Sequence, residues 1–539
     1  MLSAVGRFAW AWVVPVAVGL GTAGFVACSE SGSGNPTGHG AAGQGGEGAH
    51  AGMGHGGSGG GDSMDVVLTV SAAVPVGAVN RLGGVQGGPK PSNAGDADLT
   101  AAYQTAGVTA VRLAQGDGFA GCDGTMGPRL TLGSIFPDRT ADAGDPASYE
   151  FDDADAFLTA VVASGAEPIF QASFDVGCEG DAVTAGEESG AAPKDLVLWG
   201  SVVEHCLAHF NDGWANGHAF GVERVEMAAE PCALGGFDCT TDHSQVFSAF
   251  AALSGAVAHY DTTYGRSAKA IGPGLDAADA IATTAELAAA LSASSVGLGG
   301  YSYRDVGTPA EVEANAAALA ANLAAVGMGD VPLVASYGRA ADEALPDAVA
   351  SDAAAASAWL SSRQLAIQTR LQGVWKQAIV ERGNRGFTFD TASPAAESAF
   401  FYETTDGIEP GTPKPAYFGW VILDDLVTTT PVHLGASYPA SGPTLLAARS
   451  DDSSNVGLVV SHFCASDSSD CPPLPHYGIT VYDLPAGASY RFERFVIDGD
   501  TTSFTAVETG NAVAGDDGTL SLSGAIDRWS VAYWKLTTP

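Results

Sequence analysis

Short apolar strands alternate with longer helical patterns through the middle of the chain, and this alternation constrains the fold more than any other feature. Strands are predicted at Val108–Leu113, Glu167–Phe174, the stretch ending at Glu230, Lys269–Leu275, Val296–Tyr303, Val331–Gly338 and Gly386–Asp390. Helical stretches of about 10–15 residues or more separate them, as in βαβ units around a parallel sheet. Seven or eight such units over roughly 320 residues predict a closed (β/α)8 barrel rather than an open sheet.

The barrel is expected to occupy residues 65–430, and its last helix is predicted at Ala353–Glu381. Residues 431–539 change to short strands separated by Gly, Asp and Ser, which predicts an all-β accessory module of sandwich type. The early strand Val66–Ser71 is a candidate to join that module. The glycine-rich stretch Gly83–Gly88 is not expected to bind phosphate, because Pro89 and Pro91 leave no helix N-terminus after it.

The first 27 residues read as an export signal, with Arg7 as the only charge before a long apolar run. The run ends at Phe25-Val26-Ala27-Cys28, which resembles a bacterial lipoprotein cleavage box with Phe25 in place of the usual Leu. Lipidation of Cys28 would anchor the protein stably in the cell envelope, at the outer membrane or the cell surface. An ordinary secretory signal and an uncleaved anchor are the alternatives.

Residues 28–64 are rich in Gly, Ser and His without apolar periodicity, which predicts a flexible tether. Its His39, His50 and His55 are interpreted as part of a spacer rather than as metal ligands. The formal charge of −38, from 61 acidic and 23 basic residues, excludes nucleic acid and anionic membrane surfaces as expected partners. Membrane contact is therefore expected through the lipid anchor only.

An exported chain favours disulfide bonds. Cys232–Cys239 and Cys464–Cys471 are close enough in sequence to close single loops, and Cys122–Cys178 follow two successive predicted strands. Cys206 lies in a helical pattern and is predicted to be a buried thiol. Zinc-type spacing is not found in the sequence, and neither a metal nor a cofactor is expected.

The stretch GVERVEMAAEPCALGGFDCT, residues 221–240, carries the main candidate for chemistry. Its alternating apolar residues predict a strand that ends at Glu230, and Pro231 restricts the backbone around that carboxyl. In a (β/α)8 barrel the carboxyl ends of the strands carry the active site. The alternative interpretation is a Glu that pairs with a nearby Arg.

Several phrases resemble the β-xylosidase/α-L-iduronidase family of glycoside hydrolases. They are IFPDRTADAGDPASYEFDDADAFLTAVVASGAEPIF, WGSVVEHCLAHFNDGWANG, VERVEMAAEP and GTPKPAYFGWVILDDL. The resemblance covers roughly residues 66–426 and the trailing β module. It implies a (β/α)8 barrel with a β-sandwich built from both ends of the domain. It also implies retaining hydrolysis by an acid/base Glu after strand four and a nucleophilic Glu after strand seven.

The resemblance identifies Glu230 as the acid/base and Ser336 as the residue at the nucleophile position. Ala229 and Ala228 replace the family's Asn and frequent Trp, and Ala114 and Gln115 stand where His-Asp is common. Tyr301 stands where the family often has His, and Tyr303 matches its Tyr. Both tyrosines are expected to be candidates for stacking on sugar rings.

These substitutions keep two functions open. In the first, the protein hydrolyses O-glycosidic bonds of extracellular oligo- or polysaccharide with Glu230 as the proton donor. The second carboxylate would then be Asp342 or Glu343 after strand seven, or an inverting base at Asp175, Asp305 or Asp390. In the second, the barrel is a catalytically inactive carbohydrate-binding or scaffold lipoprotein.

Overall fold

The computed structural model describes residues 66–81, 83–86, 88–89, 98–113, 131–173, 193, 195–227, 231–232, 237–337, 352–372, 379–385, 400–402, 409, 411–440, 442–465 and 474–539. Its strands form two sheets. Within the described residues, no helix combines the length and the apolar character needed to cross a membrane.

Eight parallel strands close into a barrel, which confirms the predicted fold class. In order around the barrel they are β2 (Gly84–Gln86), β3 (Ala110–Leu113), β4 (Glu167–Ala172), β5 (Arg224–Met227), β6 (Lys269–Asp276), β7 (Gly300–Asp305), β8 (Leu333–Tyr337) and β9 (Ile379–Arg385). Barrel strands one to eight are therefore β2 to β9.

The first and the last barrel strands differ from the sequence prediction, and the predicted last strand Gly386–Asp390 lies outside the described residues. Strand β2 lies inside the glycine-rich stretch Gly83–Gly88, for which no strand is predicted, and it pairs with both β3 and β9. Strand β9 begins at Ile379, so the helix predicted to reach Glu381 ends earlier, at Leu371. Gly373 follows that helix end closely, and the β-branched pair Ile379-Val380 opens the strand.

Nine α-helices are described, and the longer ones alternate with the barrel strands. They are α1 (Thr100–Thr105), α2 (Leu132–Ile135), α3 (Asp152–Ala163), α4 (Leu196–Asp212), α5 (Ser244–Tyr264), α6 (Ala277–Ser294), α7 (Pro309–Ala325), α8 (Ala353–Leu371) and α9 (Pro415–Thr429). Local sequence fixes several ends. Asp195 caps α4, Thr308 and Glu311 form a capping box on α7, and Gly213 ends α4 in the left-handed conformation.

Inside the barrel, four apolar residues from four strands form one cluster: Ala110, Ile169, Ile271 and Val334. Strands β6 and β8 are neighbours neither of each other nor of β3 and β4, so these strands contact only across the barrel axis and the cluster is a layer of the barrel interior. We call it the lower layer. Because side chains alternate along a strand, residues two positions further along also face the interior.

The second sheet has nine strands and surrounds its own hydrophobic core. It contains β1 (Val66–Ala78), β10 (Val432–Ser437), β11 (Thr444–Arg449), β12 (Asn455–His462), β13 (Leu474–Tyr482), β14 (Ser489–Ile497), β15 (Glu508–Val513), β16 (Leu520–Ile526) and β17 (Ser530–Thr537). Strand β1 joins it between β10 and β13.

The nine-stranded sheet folds over on itself, as expected for a sandwich-type module. Trp534 of β17 donates a hydrogen bond from Nε1 to the Tyr477 hydroxyl of β13 at 2.9 Å. Four strands separate β17 from β13 in the sheet order, so this bond crosses the core of the module. The module also contacts the barrel helices, where Lys535 of β17 pairs with Asp425 of α9 at 2.7 Å.

Candidate functional site

The candidate acid/base follows barrel strand four. Strand β5 ends at Met227, and Glu230 is the third residue beyond it. Residues 228–230 lie outside the described residues, so the role of Glu230 stays a prediction. Asp175, Asp390, Asp342 and Glu343 also lie outside them, as do Cys28, Cys122 and Cys178.

A disulfide bond closes the loop directly after Glu230. Cys232 and Cys239 are bonded, with their Cα atoms 5.5 Å apart, and both pack partly buried against the barrel core. The bond restrains the chain two residues beyond Glu230. Cys464 also takes part in a disulfide bond, although its predicted partner Cys471 lies outside the described residues. Cys206 is a buried free thiol whose pKa is raised by burial.

Above the lower layer, the barrel interior becomes charged. Arg112 lies two residues beyond Ala110, and its Nη1 donates to both carboxylate oxygens of Glu226 at 3.1 and 3.0 Å. Both side chains are at most 1 % exposed. We call this pair the upper layer. The sequence carries a signal for this pair, since a charged residue interrupts each of the apolar strands VRL and VEM.

The two tyrosines predicted to stack on sugar are buried on the opposite side of their strand. Tyr301 and Tyr303 are fully buried, and the Tyr301 hydroxyl donates to the Ala280 carbonyl of α6 at 3.1 Å. Burial raises the pKa of both hydroxyls, helped at Tyr303 by the negative charge of Asp305. The expected stacking role is therefore corrected: these rings fill the space between the barrel and its helices.

Asp305 shares that outward face, four residues beyond Tyr301. Its carboxylate accepts hydrogen bonds from Gly307 N at 3.0 Å and from Asn315 Nδ2 of α7 at 3.1 Å. Burial raises its pKa, although the two hydrogen bonds oppose the shift. The carboxylate holds the loop between β7 and α7, so the expectation that Asp305 serves as a catalytic base is corrected too.

Alternation along β7 turns Ser302 and Arg304 toward the barrel interior instead. Arg304 is the register partner of Asp276 on one side and of Ser336 on the other. Three adjacent strand ends, barrel strands five to seven, thus carry Asp276, Arg304 and Ser336 in a row. Arg304 Nη1 lies 3.5 Å from Asp276 Oδ1, and the Asp276 side chain is 56 % exposed.

Asp276 is the carboxylate that sequence reasoning missed. It stands at the carboxyl end of barrel strand five and immediately precedes α6, yet its side chain makes no capping hydrogen bond. It is therefore not committed to the helix N-terminus. A carboxylate at a barrel strand end, beside an arginine and accessible to solvent, has the placement of a catalytic or sugar-binding group.

A cavity of about 390 Å³ lies at the other end of the barrel. Its lining includes the residues that open strands β2 to β6, together with the ion pair between Arg224 and Glu167. These are the amino ends of the strands, where residues generally serve stability rather than catalysis. We therefore place the candidate site at the carboxyl ends and not in this cavity.

Comparison with known proteins identifies the architecture. No protein-family model and no curated protein matches the chain. Among solved structures, the glucosidase from Croceicoccus marinus aligns with a TM-score of 0.67 at 18% identity, over 88% of this chain and 99% of that one. A monomeric β-xylosidase from Caulobacter crescentus CB15 aligns with a TM-score of 0.63 at 13% identity, over 88% and 99%.

The GH39 enzyme from Xanthomonas axonopodis pv. citri gives a TM-score of 0.61 at 14% identity, over 88% of this chain and 97% of that one. At such identities similarity establishes the fold and not the reaction. The chain has the glycoside hydrolase-like fold, a (β/α)8 barrel with an appended β module.

Proposed function

We propose that this protein acts on O-glycosidic bonds of extracellular oligo- or polysaccharide, with Glu230 as the general acid/base. One observation carries the proposal: strand four of a closed eight-stranded barrel ends at Met227, and Glu230 follows within three residues, ahead of a disulfide-closed loop. A carboxyl at that strand end is suited to protonate the oxygen of a departing sugar.

Glycosidic cleavage ordinarily needs a second carboxylate. Barrel strand seven carries Ser336 where the resemblance expects a nucleophilic Glu, and a serine hydroxyl attacks only when a base activates it. We propose Asp276 for the second role, because it is an exposed carboxylate at a neighbouring strand end that no helix cap occupies. Arg304 Nη1 lies 3.5 Å from the Asp276 carboxylate and restrains its position at the strand end.

A second candidate function is sugar binding without cleavage. It is favoured by the commitment of Asp305 to the loop before α7, which removes one of the expected bases from the site. In this alternative Glu230 and Asp276 accept hydrogen bonds from sugar hydroxyls, and the barrel serves as a surface receptor for polysaccharide.

The experiment compares turnover of a panel of aryl glycosides and polysaccharides by the full chain and by four variants. Glu230→Gln and Asp276→Asn are expected to abolish turnover, whereas Ser336→Ala is expected to retain it. Glu223→Gln is the matched control, because Glu223 is an exposed carboxylate immediately before the same strand, at its amino end. Glu230→Gln is expected to leave the melting temperature almost unchanged.

Three outcomes separate the alternatives. Turnover that depends on Glu230 and Asp276 supports hydrolysis with the proposed pair. An absence of turnover with polysaccharide binding in the wild type, weakened in both variants, supports the receptor. An absence of both turnover and binding overturns the proposal.

We further propose that the protein is exported and anchored through a lipid on Cys28. The proposal rests on the apolar run before Phe25-Val26-Ala27-Cys28 and on the Gly- and Ser-rich stretch after it. Mass spectrometry of the mature N-terminus tests it, with Cys28→Ala as the comparison. An unmodified Cys28 in the membrane fraction would contradict it.

A further inference from the structure

We propose that Asp155, His209 and His218 form a binding site for one divalent transition-metal ion, with Zn²⁺ as the fitting occupant. The cluster lies on the helices outside the barrel and on the connection that leads to the amino end of β5. Asp155 belongs to the first turns of α3, His209 to the last turn of α4, and His218 to the connection between α4 and β5. The spacing in the sequence gives no hint of the site.

The donor atoms already lie close to the separations that a metal imposes. His209 Nε2 is 3.0 Å from Asp155 Oδ1, and His218 Nε2 is 3.1 Å from Asp155 Oδ2. All three donor atoms fall within 4.8 Å of one another. Ligands bound to tetrahedral zinc at about 2.0 Å are about 3.3 Å apart. Small side-chain adjustments therefore suffice to bring all three onto one ion.

The hydrogen bonds of His209 support a cation at its other ring nitrogen. His209 Nδ1 lies 2.9 Å from the Trp214 carbonyl oxygen, and against a carbonyl this nitrogen must act as the donor. His209 Nε2 faces both oxygens of Asp155, at 3.0 and 3.1 Å, and in the neutral form of the ring it carries the lone pair that can bind a metal ion. A metal ion between the ring and the carboxylate would bind Nε2 and the Asp155 oxygens as its ligands. A ring N–H donated to a carbonyl is also the usual outer support of a metal-bound histidine.

Both imidazole rings are held in place by aromatic neighbours. His209 stacks on Phe151 with ring centroids 3.5 Å apart and planes within 4°, and His218 stacks on Phe220 at 4.4 Å. Gly217 allows the two histidines to approach, because a Cβ at this position would lie 2.0 Å from the His209 carbonyl oxygen. Rings fixed in this way lose little freedom when they bind an ion.

The burial of the cluster suits capture of an ion from solution. His209 is almost fully buried, whereas the His218 side chain is 41 % exposed, so an ion enters from the side of His218. Two imidazoles and one carboxylate suit Zn²⁺ and its neighbours in the first transition row, rather than Ca²⁺ or Mg²⁺, which prefer oxygen ligands. The fourth position is left to water. The ion would fasten α3 to the end of α4 and to the approach of β5.

The test measures zinc binding by the full chain. The parent protein carries His39→Ala, His50→Ala and His55→Ala, so that the tether histidines do not contribute. Equilibrium dialysis of chelator-treated parent against ZnCl₂ is expected to give one ion per chain, and the melting temperature is expected to rise with zinc concentration. His218→Ala and Asp155→Asn, made in this parent, are each expected to weaken binding at least about tenfold.

The matched control is His259→Ala in the same parent. His259 also pairs with a carboxylate across two helices, with its Nδ1 2.8 Å from Glu204 Oε2, but among the described residues this pair belongs to no cluster of three ligand groups. This variant is expected to bind zinc like the parent. His218 is exposed enough for its replacement to fold, and circular dichroism of each variant checks this. Equal zinc affinity in the parent and His218→Ala, or no zinc-dependent rise in melting temperature, overturns the proposal in favour of a simple His–Asp pair.

Discussion

The barrel interior contains two layers that differ in chemistry although strand β3 contributes a residue to each. The lower layer, Ala110, Ile169, Ile271 and Val334, is apolar. The upper layer, two residues nearer the carboxyl end of β3, places Arg112 against Glu226 without access to water. An ion pair in such a place costs desolvation free energy that an apolar pair would not.

The difference separates the residues that stabilise this barrel from the residues that position its candidate site. Apolar residues already close the barrel in the lower layer, so folding alone does not call for charges above it. A buried ion pair is weak evidence for stability, and in some proteins such pairs specify geometry instead. The upper layer lies on the strand that leads to Glu230, and Glu226 precedes Glu230 by four residues. We therefore interpret the pair as a positioning element for the strand-four exit.

Breaking the upper layer is expected to have the largest effect. Arg112→Met removes a guanidinium that donates to the buried Glu226 carboxylate, and we expect a loss of about 3–5 kcal/mol in the free energy of unfolding. Urea denaturation measures it. The double variant Arg112→Met with Glu226→Leu is expected to recover most of that stability. It is not expected to recover glycoside turnover or sugar binding. A stable single variant would show that the pair is not isolated from water.

A cavity in the lower layer is expected to lower the free energy of unfolding somewhat less and to leave function unchanged. Ile169→Ala removes a fully buried side chain, and a loss of about 2–5 kcal/mol follows from the transfer and cavity contributions. Turnover or sugar binding measured well below the melting temperature is expected to match the wild type. A selective loss of function at full folding would contradict the division between the layers.

A smaller effect tests the outward face of β7. Tyr301→Phe removes the hydrogen bond to the Ala280 carbonyl, and we expect a loss of about 1 kcal/mol in the free energy of unfolding. Sugar affinity is expected to stay unchanged, because the ring lies between the barrel and α6. Isothermal titration calorimetry with a polysaccharide that binds checks this. Weakened binding would show that Tyr301 contributes to the sugar-binding site.

The smallest effect concerns pH. Burial raises the pKa of Asp305, so the folded protein holds this proton more tightly than the unfolded chain does. The ionised carboxylate therefore lowers stability above its folded pKa, and this cost disappears as the pH falls toward the unfolded value of about 3.9. Asp305→Asn is expected to remove that part of the pH dependence. Denaturation between about pH 4 and 7 measures how the free energy of unfolding changes with pH in both proteins. The same slope in the wild type and the variant would contradict the prediction.

The sequence was sufficient for the fold because strand and helix periodicity is a local signal. It identified the barrel, the β module and strand four, while strand β2 escaped because three residues in a glycine-rich stretch show no periodicity. The predicted strand at 296–303 begins earlier than the observed β7, Gly300–Asp305. Contacts with the helices decide which face the aromatic residues of β7 occupy, and such contacts cannot be read from local periodicity.

The candidate site was harder to predict because its contacts join distant parts of the chain. Arg112 and Glu226 are 114 residues apart, and Asp155 and His209 are 54 apart. Neither pair forms a motif that can be read from the sequence. Asp276 was missed because its position beside Arg304 depends on the register between β6 and β7.

The most direct measurement of the central claim is a leaving-group series on the wild type and Glu230→Gln. A general acid matters most when the departing alcohol is basic, and its loss typically costs about 100-fold or more. We predict that the ratio of wild-type to variant kcat/KM is small for nitrophenyl glycosides and rises steeply toward alkyl glycosides. The same ratio for every leaving group, or turnover that survives Glu230→Gln unchanged, would contradict the assignment of Glu230 as the proton donor.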